Sequence, residues 1–296
     1  MKIIVAGGSG FIGRALISAL SSSGHEVCPL VRREPQIPAE IPWEPSAGKI
    51  DLAAIANADA FINLAGENIA AGRWTRKQRK RILQSRIDAT RTLVLAIAQL
   101  ERKPRVFLSA SAVGFYGERG DERLTETSGV GQGFLPEVCL AWETHAEGAS
   151  RQGIRTALLR LGVVLGKDGG ALAKMLPVFR LGLGGKLGAG NQWMSWISQA
   201  DAVGAICHAL EATNLVGPVN LVAPHPVRNG EFTRILAQTL GRLAFLTVPA
   251  AALRLMFGQM ATETLLTSER VIPTRLIETG YAFQHPTLAA ALRAAL

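Results

Sequence analysis

Seven residues near the start carry the clearest chemical signal: Gly7-Gly8-Ser9-Gly10-Phe11-Ile12-Gly13. They follow a β-rich run, residues 2–6, and open a stretch with helical apolar spacing at Ile12, Ala15, Leu16, Ala19 and Leu20. Glycines at GxxGxxG spacing between a strand and a helix do three jobs. One permits a tight turn, one lets backbone approach a pyrophosphate, and one lets the helix pack close to the strand. The phosphates then rest on free N–H groups at the positive end of the helix dipole. The turn predicts a dinucleotide site built on Gly7, Ser9, Gly10, Phe11, Ile12 and Gly13. A second β-rich run, residues 26–31, is followed by Arg32 and Arg33. An acidic residue ~20 positions past the glycines would suit a free ribose 2′-hydroxyl, whereas guanidinium forks suit a 2′-phosphate. The expected cofactor is NADP(H) rather than NAD(H), with Glu34 the one neighbour that argues the other way.

A third arginine stands apart. Leu83, Thr90, Leu93 and Ile97 form one stripe of a helix over residues 76–100, and Arg86 falls within it. A guanidinium on a core-facing stripe needs an anionic or polar partner. A cofactor and an internal carboxylate both meet that need. Arg76, Lys77, Arg79, Lys80 and Arg81 read as a solvated face. The three cysteines, Cys28, Cys139 and Cys207, are odd in number and lack a CxxC pair, so neither a disulfide framework nor a metal site is expected.

These residues must be positioned by strands alternating with helices. Strands are expected at 2–6, 26–31, 60–64, 105–109 and 156–161, and helices at 11–22, 76–100 and 134–151. Gly24 and Gly153 stop the first and last of these helices. That alternation predicts an α/β fold, a Rossmann-type doubly wound parallel sheet with helices on both faces. After Gly162 the pattern changes. Residues 166–192 are rich in glycine and read as a mobile loop around a short helix, 171–179, suggesting a lid. Further helices are expected at 201–210, 228–240 and 250–260, with a late strand at 219–222. The dinucleotide-binding domain is assigned to 1–165, with 198–224 returning to it. Residues 166–197 and 225–296 form a smaller C-terminal substrate or cap lobe.

Composition narrows the class. Of 296 residues, 48% are hydrophobic and 19% charged, which suits a large core. The net charge of +9 fits a phosphorylated cofactor or a basic surface. Aromatics make up 6% and do not interleave with the basic residues, so no nucleic-acid partner is expected. No apolar run approaches the ~20 residues of a membrane span. The apolar N-terminus imitates a secretory signal, but glycines and Arg14 interrupt it. A cytoplasmic monomer or homodimer with a small-molecule substrate is expected.

Further motifs extend along almost the whole chain: NLAGENI at 63–69, Arg73-Trp74, Ser85-Arg86, SASAVGFYG at 109–117, Trp142-Glu143, LRLGVVLG at 159–166, QWMSWI at 192–197, NLVAP at 220–224 and VRNGEFT at 227–233. With the glycine turn, they make the sequence resemble the extended short-chain dehydrogenase/reductases of NAD-dependent epimerase/dehydratase type, in the atypical epimerase branch called family 39U. The resemblance implies that Leu64, Ala65 and Gly66 pass beside adenosine and pyrophosphate, that Arg86 reaches the cofactor, and that Ser109 contacts the nicotinamide ribose region through backbone. It places Arg160 at the head of the segment lining the nicotinamide, and Ser111 at the position that hydrogen-bonds the reacting oxygen.

The departure concerns proton transfer. The superfamily carries Tyr-x-x-x-Lys on one helix, where Tyr moves a proton and Lys lowers its pKa. Here Leu135 and Cys139 take those positions. Tyr116, in the loop after Ser111, and Glu67, beside the expected cofactor, are candidate substitutes. Two readings follow. One is an NADP(H)-dependent oxidoreductase or epimerase-like enzyme acting on a small carbonyl or hydroxyl compound, sugar-nucleotide-like among others. The other is a non-catalytic NADP(H)-binding sensor or partner-binding protein.

Overall fold

A computed structural model describes residues 1–296. In chain order the first half comprises β1 (Lys2–Ala6), α1 (Phe11–Ser22), β2 (Glu26–Val31), β3 (Ile41–Glu44), β4 (Lys49–Ile50), α2 (Leu52–Ile55), β5 (Ala60–Asn63), α3 (Arg76–Gln99), β6 (Val106–Ala112), β7 (Arg123–Leu124), α4 (Phe134–Ser150) and β8 (Arg155–Leu161). The second half adds β9 (Val163–Gly166), α5 (Gly170–Arg180), β10 (Gly185–Leu187), β11 (Trp193–Met194), β12 (Trp196–Ser198), α6 (Gln199–Glu211), β13 (Gly217–Leu221) and β14 (Val227–Arg228). It ends with α7 (Asn229–Thr239), β15 (Leu246–Val248), α8 (Ala250–Phe257), β16 (Arg270–Val271), α9 (Thr274–Glu278) and α10 (Leu288–Ala295).

Eight strands form the central sheet in the order β13-β8-β6-β5-β1-β2-β3-β4, parallel except for the antiparallel β3–β4 edge. This is the doubly wound Rossmann arrangement, and its order reverses between β1 and β5. Side chains alternate across each strand. Ile3 and Val5 of β1 therefore join a core with Leu16 and Leu20 of α1 and Ala202 and Ile206 of α6. Ile4 and Ala6 face a second core with Leu93 and Ile97 of α3 and Ala146 of α4. Both faces are covered, so the strands read as continuous apolar runs.

The glycine-rich segment 166–192 is more ordered than a mobile loop. β9 pairs with β12, and Gly166 and Gly169 bridge in a tight reversal before α5. A Cβ on Gly169 would come within 2.6 Å of the Phe11 ring, so this reversal is packed directly over the head of α1. Leu172, Leu176 and Phe179 of α5, Trp196, Phe232 of α7 and Leu292 of α10 form a third apolar core, separate from the two that flank the sheet. No helix is long and apolar enough to cross a membrane.

Candidate functional site

The switch point places the ends of β1 and β5 side by side beneath the glycine turn. Gly7 has φ +81°, and a Cβ there would lie 2.6 Å from the Leu64 carbonyl carbon. Only glycine fits both demands. A Cβ on Gly13 would fall 2.8 Å from Gly8 Cα and closer still to Gly7 O, so α1 can seat this near the strand only without one. Gly10 meets nothing nearer than Gly7 O at 3.2 Å and is the N-cap of α1. No side chain caps that helix and no acidic residue stands in its first turn, which leaves the positive end of the dipole free for an anion. Ser9, Phe11 and Ile12 complete the turn.

Leu64, Ala65 and Gly66 run along one side of this cradle. Asn63 fixes them by accepting the Ala65 N–H at 3.1 Å and donating to Thr90 Oγ1 at 2.9 Å. Arg86 lies under Gly66, where a Cβ would sit 3.1 Å from Cζ. Its Nη1 donates to the carbonyls of Glu67 (3.0 Å) and Ile82 (2.9 Å), and the guanidinium stacks 4.9 Å from the Trp142 ring. No carboxylate pairs with it, which removes the internal ion pair as its explanation. Nε and Nη2 donate to no protein atom, burial lowers the pKa, and the buried Trp142 Nε1 beside it also lacks a partner.

The other arginine pair is divided. Arg33 is committed to Glu40 by two bonds of 2.8 and 2.6 Å, which holds the Glu40 carboxyl below its ordinary range. Arg32 is exposed and makes no ion pair. Both line a cleft of about 850 Å³ at the sheet edge, with Glu34, Trp43 and Lys49.

At the opposite end the structure corrects two assignments. Arg160 is 2% exposed and donates from Nε and Nη2 to both oxygens of Glu143, at 2.9 and 2.8 Å. Its Nη1 donates to Tyr116 Oη at 2.9 Å, and its Cζ lies 3.5 Å from the Phe115 ring centroid. It balances a buried carboxylate and does not reach the cofactor cradle. Tyr116 is fully buried and donates to Asn220 Oδ1 at 2.7 Å. Burial raises its pKa, with Arg160 opposing the shift. Its ring is wedged inside the protein and does not open onto the cleft, so it is not placed to transfer a proton there. Ser111 joins the same network, donating to Glu143 Oε1 at 2.6 Å. Ser109 is buried within β6, beside Asn63 of β5. Glu67 Oε1 accepts from Gln78 Nε2 at 3.3 Å, while its backbone is pinned by Ser85 and Arg86.

Leu135 packs against Gly114, and its N–H donates to Glu263 Oε2 at 2.8 Å. Cys139 is buried, and its thiol is pushed up to about 12 by burial first and by Glu143 next. It is a packed thiol at neutral pH. Two carboxyls from the far end of the chain, Glu263 and Glu269, thus approach this region. Neither was marked by spacing, because short irregular connections carry no periodicity.

Residues 3–222 match the sequence profile of the NAD dependent epimerase/dehydratase family. The chain belongs to that family. A second profile, a domain of unknown function (DUF1731), matches residues 248–295 of the lobe. Among relatives of this family member, an epimerase family protein of Mycobacterium bovis is 42% identical over 290 residues, covering 98% of this chain and 96% of that one. The human epimerase family protein SDR39U1 is 38% identical over 296 residues, covering 99% of each chain. A crystal structure of human SDR39U1 (isoform2) with NADPH superimposes with TM-score 0.90 at 36% identity, over 100% of this chain and 99% of that one.

Proposed function

We propose that this epimerase-family chain is an NADP(H)-dependent oxidoreductase or epimerase-like enzyme acting on a small carbonyl or hydroxyl compound. The observation that carries the reading is Arg86. A half-buried guanidinium without a carboxylate partner is costly, and its free donors sit beside the 64–66 segment, where an anionic, hydroxyl-rich ligand would satisfy them. The glycine turn and the uncapped head of α1 suit the pyrophosphate. Arg32 suits a 2′-phosphate, and the human relative crystallised with NADPH supports that choice.

The bound nicotinamide would supply hydride chemistry, and the chain would bind, orient and exclude water. The Ser111 hydroxyl donates its hydrogen bond to Glu143, so toward a substrate it offers lone pairs and orients a hydroxyl as an acceptor. The absence of a Tyr/Lys pair favours a second reading, a cofactor-binding protein without turnover. Stereospecifically deuterated NADPH separates the two. Deuterium appearing in any member of a carbonyl panel supports the enzyme. NADPH binding with no transfer across the panel supports the binding protein.

A further inference from the structure

Glu269 stands just before β16 and its backbone is fixed above the sheet. Its N–H donates to Trp193 O at 3.2 Å, and its carbonyl accepts from Ser195 Oγ at 2.7 Å. The Val271 N–H donates to the same Ser195 Oγ at 2.9 Å. The Ser195 carbonyl accepts the Val163 N–H at 2.8 Å, and a Cβ on Gly162 would lie 2.6 Å from that oxygen. Glu269 is thereby tied to the chain leaving β8, in the crevice outside the carboxyl ends of the strands where open α/β sheets bind ligands.

Its side chain is 9% exposed, and its carboxyl makes neither a hydrogen bond nor an ion pair. Two titratable groups face it. Glu118 comes from the loop after β6, where it accepts the Ser268 N–H at 2.7 Å. Cys139 comes from α4, and its thiol feels the Glu269 charge. The adjacent Arg270 turns its guanidinium onto the Trp193 ring, 4.5 Å away, and leaves the carboxyl uncompensated. Burial, then Glu118, push that carboxyl up to about 8, so it holds its proton at neutral pH. A neutral acid facing the helix position where the superfamily places its Lys is suited to general acid work.

We propose that Glu269 is the acid–base group of this site, giving its carboxyl proton to the oxygen of a bound carbonyl and recovering it from the carbinol in the reverse direction. This rests on the oxidoreductase reading above. In reduction, hydride with its two electrons arrives at carbon from the reduced nicotinamide, and the carbonyl π pair moves to oxygen. The Glu269 O–H bond breaks as the substrate O–H bond forms, and water reprotonates the carboxylate.

Glu269→Gln keeps the shape and removes the proton. Two measurements on the full-length protein test the proposal. First, a carboxyl whose folded pKa is raised contributes stability that is complete below the unfolded value, about 4.5, and is lost as pH rises toward and through about 8. The stability of the unmutated protein relative to E269Q should therefore decline from pH 5 to 8 and level above it. A flat difference would overturn the proposal. Second, deuterium transfer from labelled NADPH to α-dicarbonyl and aldehyde probes should fall ~100-fold or more in E269Q, with NADPH affinity unchanged. Equal transfer by both proteins overturns the role of Glu269 and leaves the oxidoreductase reading standing. No transfer by the unmutated protein overturns both.

Discussion

Arg86→Met isolates the residue on which the cofactor reading turns. Methionine retains the length that packs under Gly66 and against Trp142, and it discards the charge. In the free protein the substitution removes two hydrogen bonds from a charged donor to backbone carbonyls, at 3.0 and 2.9 Å. Bonds of that kind contribute about 1.5–3 kcal/mol each. Against this stands the desolvation of an unpaired guanidinium, of order several kcal/mol. The terms oppose each other, so free-protein stability should change by less than about 2 kcal/mol. Ligand binding has no such cancellation. Losing one charge-assisted bond from Nε or Nη2 to the cofactor should cost about 1.5–3 kcal/mol, roughly 10- to 150-fold in NADPH Kd. Nicotinamide fluorescence titration gives the Kd and urea unfolding gives the stability. Strong destabilisation of the free protein with an unchanged Kd would refute the reasoning and make Arg86 a structural strut.

Three other outcomes follow from the same geometry. NADPH should bind at least tenfold tighter than NADH, ~1.4 kcal/mol, and Arg32→Ala should erase more of that gap than Arg33→Ala, because Arg33 is already committed to Glu40; paired fluorescence titrations check this. Gly13→Val should abolish cofactor binding and lower Tm, since its side chain would enter the space of Gly7 and Gly8, whereas Gly10→Val should lose binding with a smaller loss of Tm. Tyr116→Phe strands Asn220 Oδ1 and one guanidinium donor, so it should destabilise the fold by about 1–3 kcal/mol in urea unfolding while leaving NADPH affinity intact.

The parts of the fold legible in the sequence are those where local pattern and tertiary environment agree. β1, α1 and β2 lie where apolar spacing and Gly24 put them. Strands β3 and β4 are too short to show a period: β3 has four residues, one of them Pro42, and β4 at the sheet edge has two. The glycines around β9 and β10 read as flexibility, although here Gly166, Gly169 and Gly184 permit close packing on Phe11 and Phe179, while β11 and β12 hold two and three residues and are too short to show a period. For the site, residue identity was visible and side-chain direction was not. Ser111 and Arg160 are register partners on adjacent strands, so they share a face, and Glu143 of α4 covers that face. That shared parity draws Arg160 into the interior, where it and Asn220 hold the Tyr116 hydroxyl, and it depends on a strand pairing that the linear sequence does not encode locally.

The last strand of the sheet, β13, enters only after the chain has built β9 to β12, α5 and α6. It lies along β8, and Gly162 N–H donates to Leu221 O at 3.1 Å where the two crossings meet. A fragment ending near residue 165 would expose the backbone edge of Ala157 to Leu161 and lose Ala202, Ile206 and Ala209 from the core. An apolar, unpaired edge of that kind invites strand addition from another copy. The nucleotide half is therefore not a separable module. Expressed alone it should aggregate, whereas an engineered break in the 181–184 turn, away from both crossings, should be tolerated.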